Sequence, residues 1–280
     1  MGVKSFIRVK NFYCGGGQNR KAEYMEQDLF PMFDTTPIKH KRKRKNVNPA
    51  ELDPREQEKY IKQQNLNDAR TKRYCSLLAM TNFKTGDYFF SPTYSDEYLP
   101  KDYEEAKQKA NNFLRRLKRA SKKKGKELKY IGITEMGSQH GRFHHHFILN
   151  KDCGLTREEI EEAWSYGHCN TKINTNTVEC IGYLLKAGRA YKGQRMYMAS
   201  RNLKKPTTTT SDNKVSKAKF LQLKIWPTDC EAMKNYFEKL NPGYEVIDVY
   251  RHMSSEAADE SSTFREQFAY FRIKLRLKTK

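Results

Sequence analysis

The most regular pattern of apolar and polar positions lies in the middle of the chain. Four short segments there are rich in β-branched and aromatic residues, which predicts strands over residues 88–94, 128–135, 142–149 and 168–173. Only the loop of residues 136–141 separates the second segment from the third, so these two are expected to form a hairpin.

Helices are predicted between these strands from start and stop signals. Three sequences have the form of a capping box: Asp102-x-x-Glu105, Thr156-x-x-Glu159 and Asn176-x-x-Glu179. Apolar residues recur at helical spacing after the first box, and three glycines are placed to end the helices: Gly125, Gly167 and Gly188. Strands and helices in this order predict an α+β fold with a central antiparallel sheet and flanking helices.

The flanking regions have weaker patterns. The predicted elements are a charged helix over 54–73, a strand over 75–80, a hairpin turn at 84–87, a flexible connection over 207–212, a strand over 220–226, a helix over 229–240 and strands over 244–250 and 271–277. We therefore expect a basic N-terminal extension (1–75), a core (76–206) and a C-terminal α/β extension (207–280) that packs on the core.

The charge of the chain indicates a polyanionic partner. Fifty-four Lys and Arg against 33 Asp and Glu give a net charge of +21, and cations that neutralise phosphates release condensed counterions. The basic residues form two clusters, one over 41–45 and one of eight residues: Arg115, Arg116, Lys118, Arg119, Lys122, Lys123, Lys124 and Lys126. Either cluster alone is equally well explained as a solvated face or a flexible arm.

Other features restrict the class of protein. The six cysteines include no Cys-x-x-Cys pair, which argues against a zinc ribbon or a tight disulfide framework. No apolar run approaches the roughly 20 residues that cross a bilayer, and the N-terminus lacks a signal-peptide pattern. We expect a cytoplasmic protein, with no membrane partner, in a bacterial host cell.

Three consecutive histidines lie within the third predicted strand. Because side chains alternate along a strand, His144 and His146 share one face and His145 points to the other. If Glu135 lies opposite His144 across the hairpin, the three residues offer two nitrogens and one oxygen to a divalent metal ion such as Mg²⁺ or Mn²⁺. The alternative is that the histidines are exposed or belong to the core. We expect His145 either to be structural or to support a metal ligand without binding the ion itself.

Tyr183 and Lys186 are neighbours on the third predicted helix, since residues three apart lie on the same side. A tyrosine beside a metal-bound phosphate and an ammonium group could attack phosphorus. Taken alone, Tyr-x-x-Lys is better explained by a core tyrosine and a surface lysine.

In combination, these motifs resemble the HUH endonucleases that initiate rolling-circle replication. The resemblance rests on Glu135-x-Gly137, Gly141-Arg142-x-His144-x-His146 and Tyr183-x-x-Lys186 in that order, and residues 88–100 look like the family's first strand motif. It covers roughly residues 82–206, and three ordered motifs are far more specific than one.

The resemblance implies an HUH or Rep nuclease fold, of ferredoxin-like or palm-like type, and a set of roles. His144, His146 and Glu135 would bind the metal ion, Tyr183 would be the nucleophile, and Lys186 would orient the phosphate. The implied substrate is single-stranded or hairpin origin DNA, which is nicked to give a 5′-phosphotyrosine and a free 3′-OH. The histidine between the ligands departs from the family's usual hydrophobic residue.

The chain has no Gly-x-x-x-x-Gly-Lys-Ser/Thr motif, so unwinding and synthesis would come from a host helicase and DNA polymerase. Two alternatives remain: a tyrosine transposase of the same fold, and a basic nucleic-acid-binding module without catalysis.

Overall fold

A computed structural model describes residues 5–16, 21–33, 52–137, 141–175, 177–186, 195–253 and 269–278. The elements, in chain order, are β1 (Ser5–Cys14), β2 (Tyr24–Phe33), α1 (Pro54–Asn82), β3 (Tyr88–Pro92), α2 (Tyr103–Lys123), β4 (Tyr130–Met136), β5 (Phe143–Leu149), α3 (Arg157–Glu162), β6 (Cys169–Ile173), α4 (Thr177–Lys186), β7 (Met198–Ala199), β8 (Thr207–Ser211), α5 (Lys217–Ile225), α6 (Glu231–Leu240), β9 (Tyr244–Met253) and β10 (Ala269–Leu277). The predicted α+β class is confirmed.

The strands form two antiparallel sheets of five strands, in the orders β8-β1-β2-β10-β9 and β6-β3-β5-β4-β7. The chain divides into two compact units: a terminal unit of residues 1–46 and 206–280, and a middle unit of residues 47–205. Because β2 pairs with β10, strands from both ends of the chain share one sheet. The sequence had suggested two separate extensions instead, since local patterns carry no signal for pairing between distant strands.

Helices cover both faces of the sheet in the middle unit. On one face, Phe90 and Phe147 of the sheet are fully buried with Phe113 of α2. On the other, Ile148 packs with Leu78 of α1 and Leu184 of α4. Adjacent residues of β5 thus lie in different cores, as the two-residue period of a strand requires.

Two predicted capping boxes begin helices. Thr156 and Glu159 make both bonds of the box at the start of α3. The side chain of Asp102 caps α2 at the backbone N–H of Glu105, whereas the Glu105 carboxylate accepts from Lys101 rather than from Asp102. Asn176 of the third box, the predicted helix end at Gly188 and the basic run over 41–45 lie outside the described residues.

Several predicted elements were wrong. Residues 75–80 form the end of α1 rather than a strand, because a short apolar run suits a buried helix equally well. Residues 220–226 alternate like a strand but lie mostly in α5, where Phe220 is buried and Ile225 is 81% exposed. The supposed flexible connection over 207–212 contains β8, which pairs with β1. Helix α3 ends at Glu162, before Gly167.

The terminal unit has its own core, formed between its sheet and helices α5 and α6. No helix in the described parts of either unit is long and apolar enough to span a membrane.

Candidate active site

The predicted hairpin is formed by β4 and β5, and its register places Glu135 directly opposite His144. His146 is paired with Ile133, two positions further along the same face. The prediction that the carboxylate and the two alternate histidines share a face is therefore correct.

His146 is held by hydrogen bonds at both ring nitrogens. Its Nε2 lies 2.9 Å from Glu135 Oε1, and its Nδ1 lies 3.0 Å from Ser91 Oγ on β3. An ionised carboxylate only accepts, so Nε2 carries a proton and donates to Glu135, and in the neutral ring Nδ1 then accepts from the Ser91 hydroxyl. The imidazole is thus fixed in orientation and only 8% of the residue is exposed.

His144 lies near the end of the hairpin where the two strands are connected, against Gly137. A Cβ atom at residue 137 would come 2.8 Å from His144 Nε2, so the ring occupies the space that a side chain would need. Partial burial lowers the pKa of His144. The negative charge of the nearby Glu135 raises this pKa, whereas His146 and Arg142 lower it further. The glycine of Glu135-x-Gly137 therefore has a steric role beside a candidate ligand.

His145 points to the opposite face and is completely buried. Its Nδ1 is 2.9 Å from Thr134 Oγ1, and its Nε2 is 2.5 Å from the hydroxyl of Tyr94. Burial lowers the pKa of His145 to about 3, so the ring is neutral. These contacts agree with a structural role for the central histidine.

Helix α4 brings Tyr183 to the same face as His146. The two rings meet edge to face with their centroids 5.2 Å apart, and Phe89 of β3 stacks on His146 at 6.0 Å. Ile181, Leu184 and Leu185 anchor the helix in the core, while Tyr183 itself is 56% exposed. Lys186 is exposed in the last turn of α4 and does not line the pocket described next.

An open pocket of about 500 Å³ lies beside the rings of His146 and Tyr183. Its lining includes His146 and Tyr183 together with six residues that were not predicted as site residues: Phe89, Ser91, Asn170, Lys172, Glu179 and Cys180. The sequence could have indicated Phe89 and Ser91, because they lie two residues apart, and hence on one face, of a strand that was predicted. Asn170 and Lys172 depend on the pairing of β6 with β3, which local sequence does not specify. Glu179 and Cys180 precede Tyr183 by four and three residues on α4, so helical spacing would have placed them beside it.

The three proposed metal ligands fit a divalent ion in their chemistry, since imidazole nitrogens and a carboxylate oxygen bind Mg²⁺, Mn²⁺ or Zn²⁺. In the part of the chain that is described, no three His, Cys, Asp or Glu side chains converge closely enough to hold an ion as they stand. Glu135 Oε1 is instead hydrogen-bonded to Nε2 of His146. Binding would exchange this hydrogen bond for metal-ligand bonds.

Residues 87–188 match the family model of the replication-associated protein ORF2/G2P. The matched region includes β3, the β4–β5 hairpin and α4, and hence every candidate site residue. No curated protein and no solved structure matches the chain. The middle of the chain is therefore similar to proteins associated with DNA replication.

Proposed function

We propose that the protein initiates replication by nicking one DNA strand, with Tyr183 as nucleophile and His144, His146 and Glu135 as metal ligands. The observation that carries the proposal is the contact between the rings of Tyr183 and His146, whose centroids are 5.2 Å apart. Tyr183 and His146 are separate in sequence but line one pocket, within a region similar to replication-associated proteins.

In the proposed reaction, the Tyr183 oxygen forms a bond to phosphorus and the bond from phosphorus to the 3′ oxygen breaks. The phenol loses its proton and the departing 3′ oxygen gains one, which leaves a 5′-phosphotyrosine and a free 3′-OH. A bound divalent ion would supply Lewis-acid polarisation of the phosphoryl oxygen.

The residues of the chain position the reacting groups. Ser91 and Glu135 fix the ring of His146, and the apolar residues of α4 hold the helix so that Tyr183 lies beside that ring. We propose that Lys186, three residues from Tyr183, orients the phosphate. The ammonium of Lys172 in the pocket lining is a second candidate for this role.

Incubation of the protein with labelled single-stranded origin DNA, with Mn²⁺ or with EDTA, tests the proposal in one gel. We expect cleavage with Mn²⁺ and none with EDTA. DNA binding that is unaffected by chelator, without cleavage, would instead support the non-catalytic binding module. Strand exchange between two element ends without replication would support a transposase.

A further inference from the structure

The outer face of α2 carries a strip of cations that the proposed reaction does not use. Arg115, Lys118, Arg119 and Lys122 are all exposed, and at about 100° per residue they lie within one third of the helix circumference. The buried residues of α2 occupy the opposite side: Ala106, Ala110, Phe113, Leu114, Leu117 and Ser121. We call these four cations the α2 strip.

The strip is not neutralised within the described residues. Among the described residues, no acidic side chain forms a hydrogen bond or ion pair with any of its four members, whereas nearby Lys124 forms an ion pair with Glu159 at 2.6 Å. Arg116 is also occupied, because its guanidinium donates to the carbonyl of Ala163. After Glu105 the helix contains no acidic residue, so the positive field of the strip is not offset along α2 itself.

The spacing and composition of the strip fit a nucleic-acid backbone. Four cations span about 10 Å of helix at 1.5 Å per residue, and duplex DNA carries one phosphate charge per about 1.7 Å of its axis. No large hydrophobic side chain is exposed on α2. The strip therefore offers no platform for stacking unpaired bases, which favours a duplex over a single strand.

The strip also lies away from the candidate active site. Phe113 of α2 packs on Phe90 and Phe147, which face one side of the sheet, while His146 and Tyr183 lie on the other. DNA held by the strip is thus separate from the phosphate that is cut.

We propose that the α2 strip binds the phosphate backbone of duplex DNA next to the nicked segment. Duplex binding by the strip does not depend on the proposed function. Only the statement that this duplex adjoins a nicked segment rests on it. The strip acts through charge and without sequence preference, and it increases the affinity for DNA that contains a duplex portion.

The test compares two variants of the full chain in which four cations become glutamine. The strip variant changes Arg115, Lys118, Arg119 and Lys122. The control changes four exposed lysines of the terminal unit: Lys214, Lys217, Lys234 and Lys239. Glutamine is a good helix former, so both variants should fold, which circular dichroism can verify.

Affinity is measured against salt concentration for a duplex and for a short single strand that covers the nick site. We expect the slope of log K against log salt for the duplex to fall by about 3 to 4 in the strip variant, at about 0.9 per lost phosphate contact. The control should retain the wild-type slope. Nicking of the short single strand should be unchanged in both variants.

Equal slopes for the strip and control variants would overturn the inference. The inference would also be overturned if the strip variant lost as much affinity for the single strand as for the duplex. Reduced nicking of the short strand by the folded strip variant would overturn it too. If the wild type does not nick but its duplex binding depends on the strip, the proposed function fails and the inference stands.

Discussion

Three adjacent histidines occupy three different environments. His145 is buried and neutral, His146 is held between Ser91 and Glu135, and His144 lies against Gly137 at the end of the hairpin. The residue type is the same, so position on the strand and the neighbouring side chains determine what each ring can do.

Ser91 is expected to act as a positioning residue for His146. In Ser91→Ala the Nδ1 atom loses its partner at 3.0 Å, and loss of such an outer contact typically reduces metal affinity or activity about ten- to a hundredfold. We therefore expect weaker nicking that higher Mn²⁺ concentrations restore in part. Titration of nicking rate against Mn²⁺ measures the effect.

The matched control is Ser95→Ala, because Ser95 makes no side-chain capping bond to the helical turn that follows it. Equal Mn²⁺ requirements for Ser91→Ala and wild type would show that the hydroxyl does not support a metal ligand.

At the scale of elements, the close approach at the end of the β4–β5 hairpin depends on Gly137. Its φ is not positive, so alanine is compatible with the backbone and only the contact with His144 is at issue. In Gly137→Ala we expect the free energy of unfolding to change by less than about 1 kcal/mol. Nicking should fall roughly ten- to a hundredfold, because the His144 ring is displaced.

Urea denaturation and single-turnover nicking provide the two measurements. Met136→Ala, at the adjacent exposed position, serves as control. Unchanged nicking by a folded Gly137→Ala protein would remove His144 from the catalytic account.

An element could be predicted from the sequence where neighbouring residues alone specify it. The β4–β5 hairpin and α2 were predictable, since the two-residue period and a capping residue with helical spacing are properties of neighbouring residues. The end of α1 was not, because its short apolar run suits a strand and a helix equally. Helix α5 was not, because polar and apolar residues alternate over 221–225 as they do in a strand. The pocket residues Asn170 and Lys172 depend on β6 pairing with β3, which is a tertiary property.

At the scale of the whole molecule, the candidate site and the match to replication-associated proteins both fall in the middle unit. That unit has its own cores on the two faces of its sheet. The terminal unit joins the two ends of the chain in a separate sheet, and none of the candidate catalytic residues belongs to it.

We therefore expect residues 47–205, produced alone, to unfold cooperatively and to retain Mn²⁺-dependent nicking of a short single strand. Circular dichroism against urea and the nicking gel measure the two properties. A fragment that folds but does not nick would show that the terminal unit supplies something the reaction requires.

The central claim is that Tyr183 becomes covalently attached to DNA. Incubation with labelled origin DNA and Mn²⁺, followed by denaturing electrophoresis and mass mapping, should give an adduct at Tyr183 in the wild type. Tyr183→Phe should give no adduct while its DNA affinity stays unchanged, and Tyr98→Phe, at another exposed tyrosine of the middle unit, should behave as wild type. An adduct that persists in Tyr183→Phe would contradict the assignment of the nucleophile.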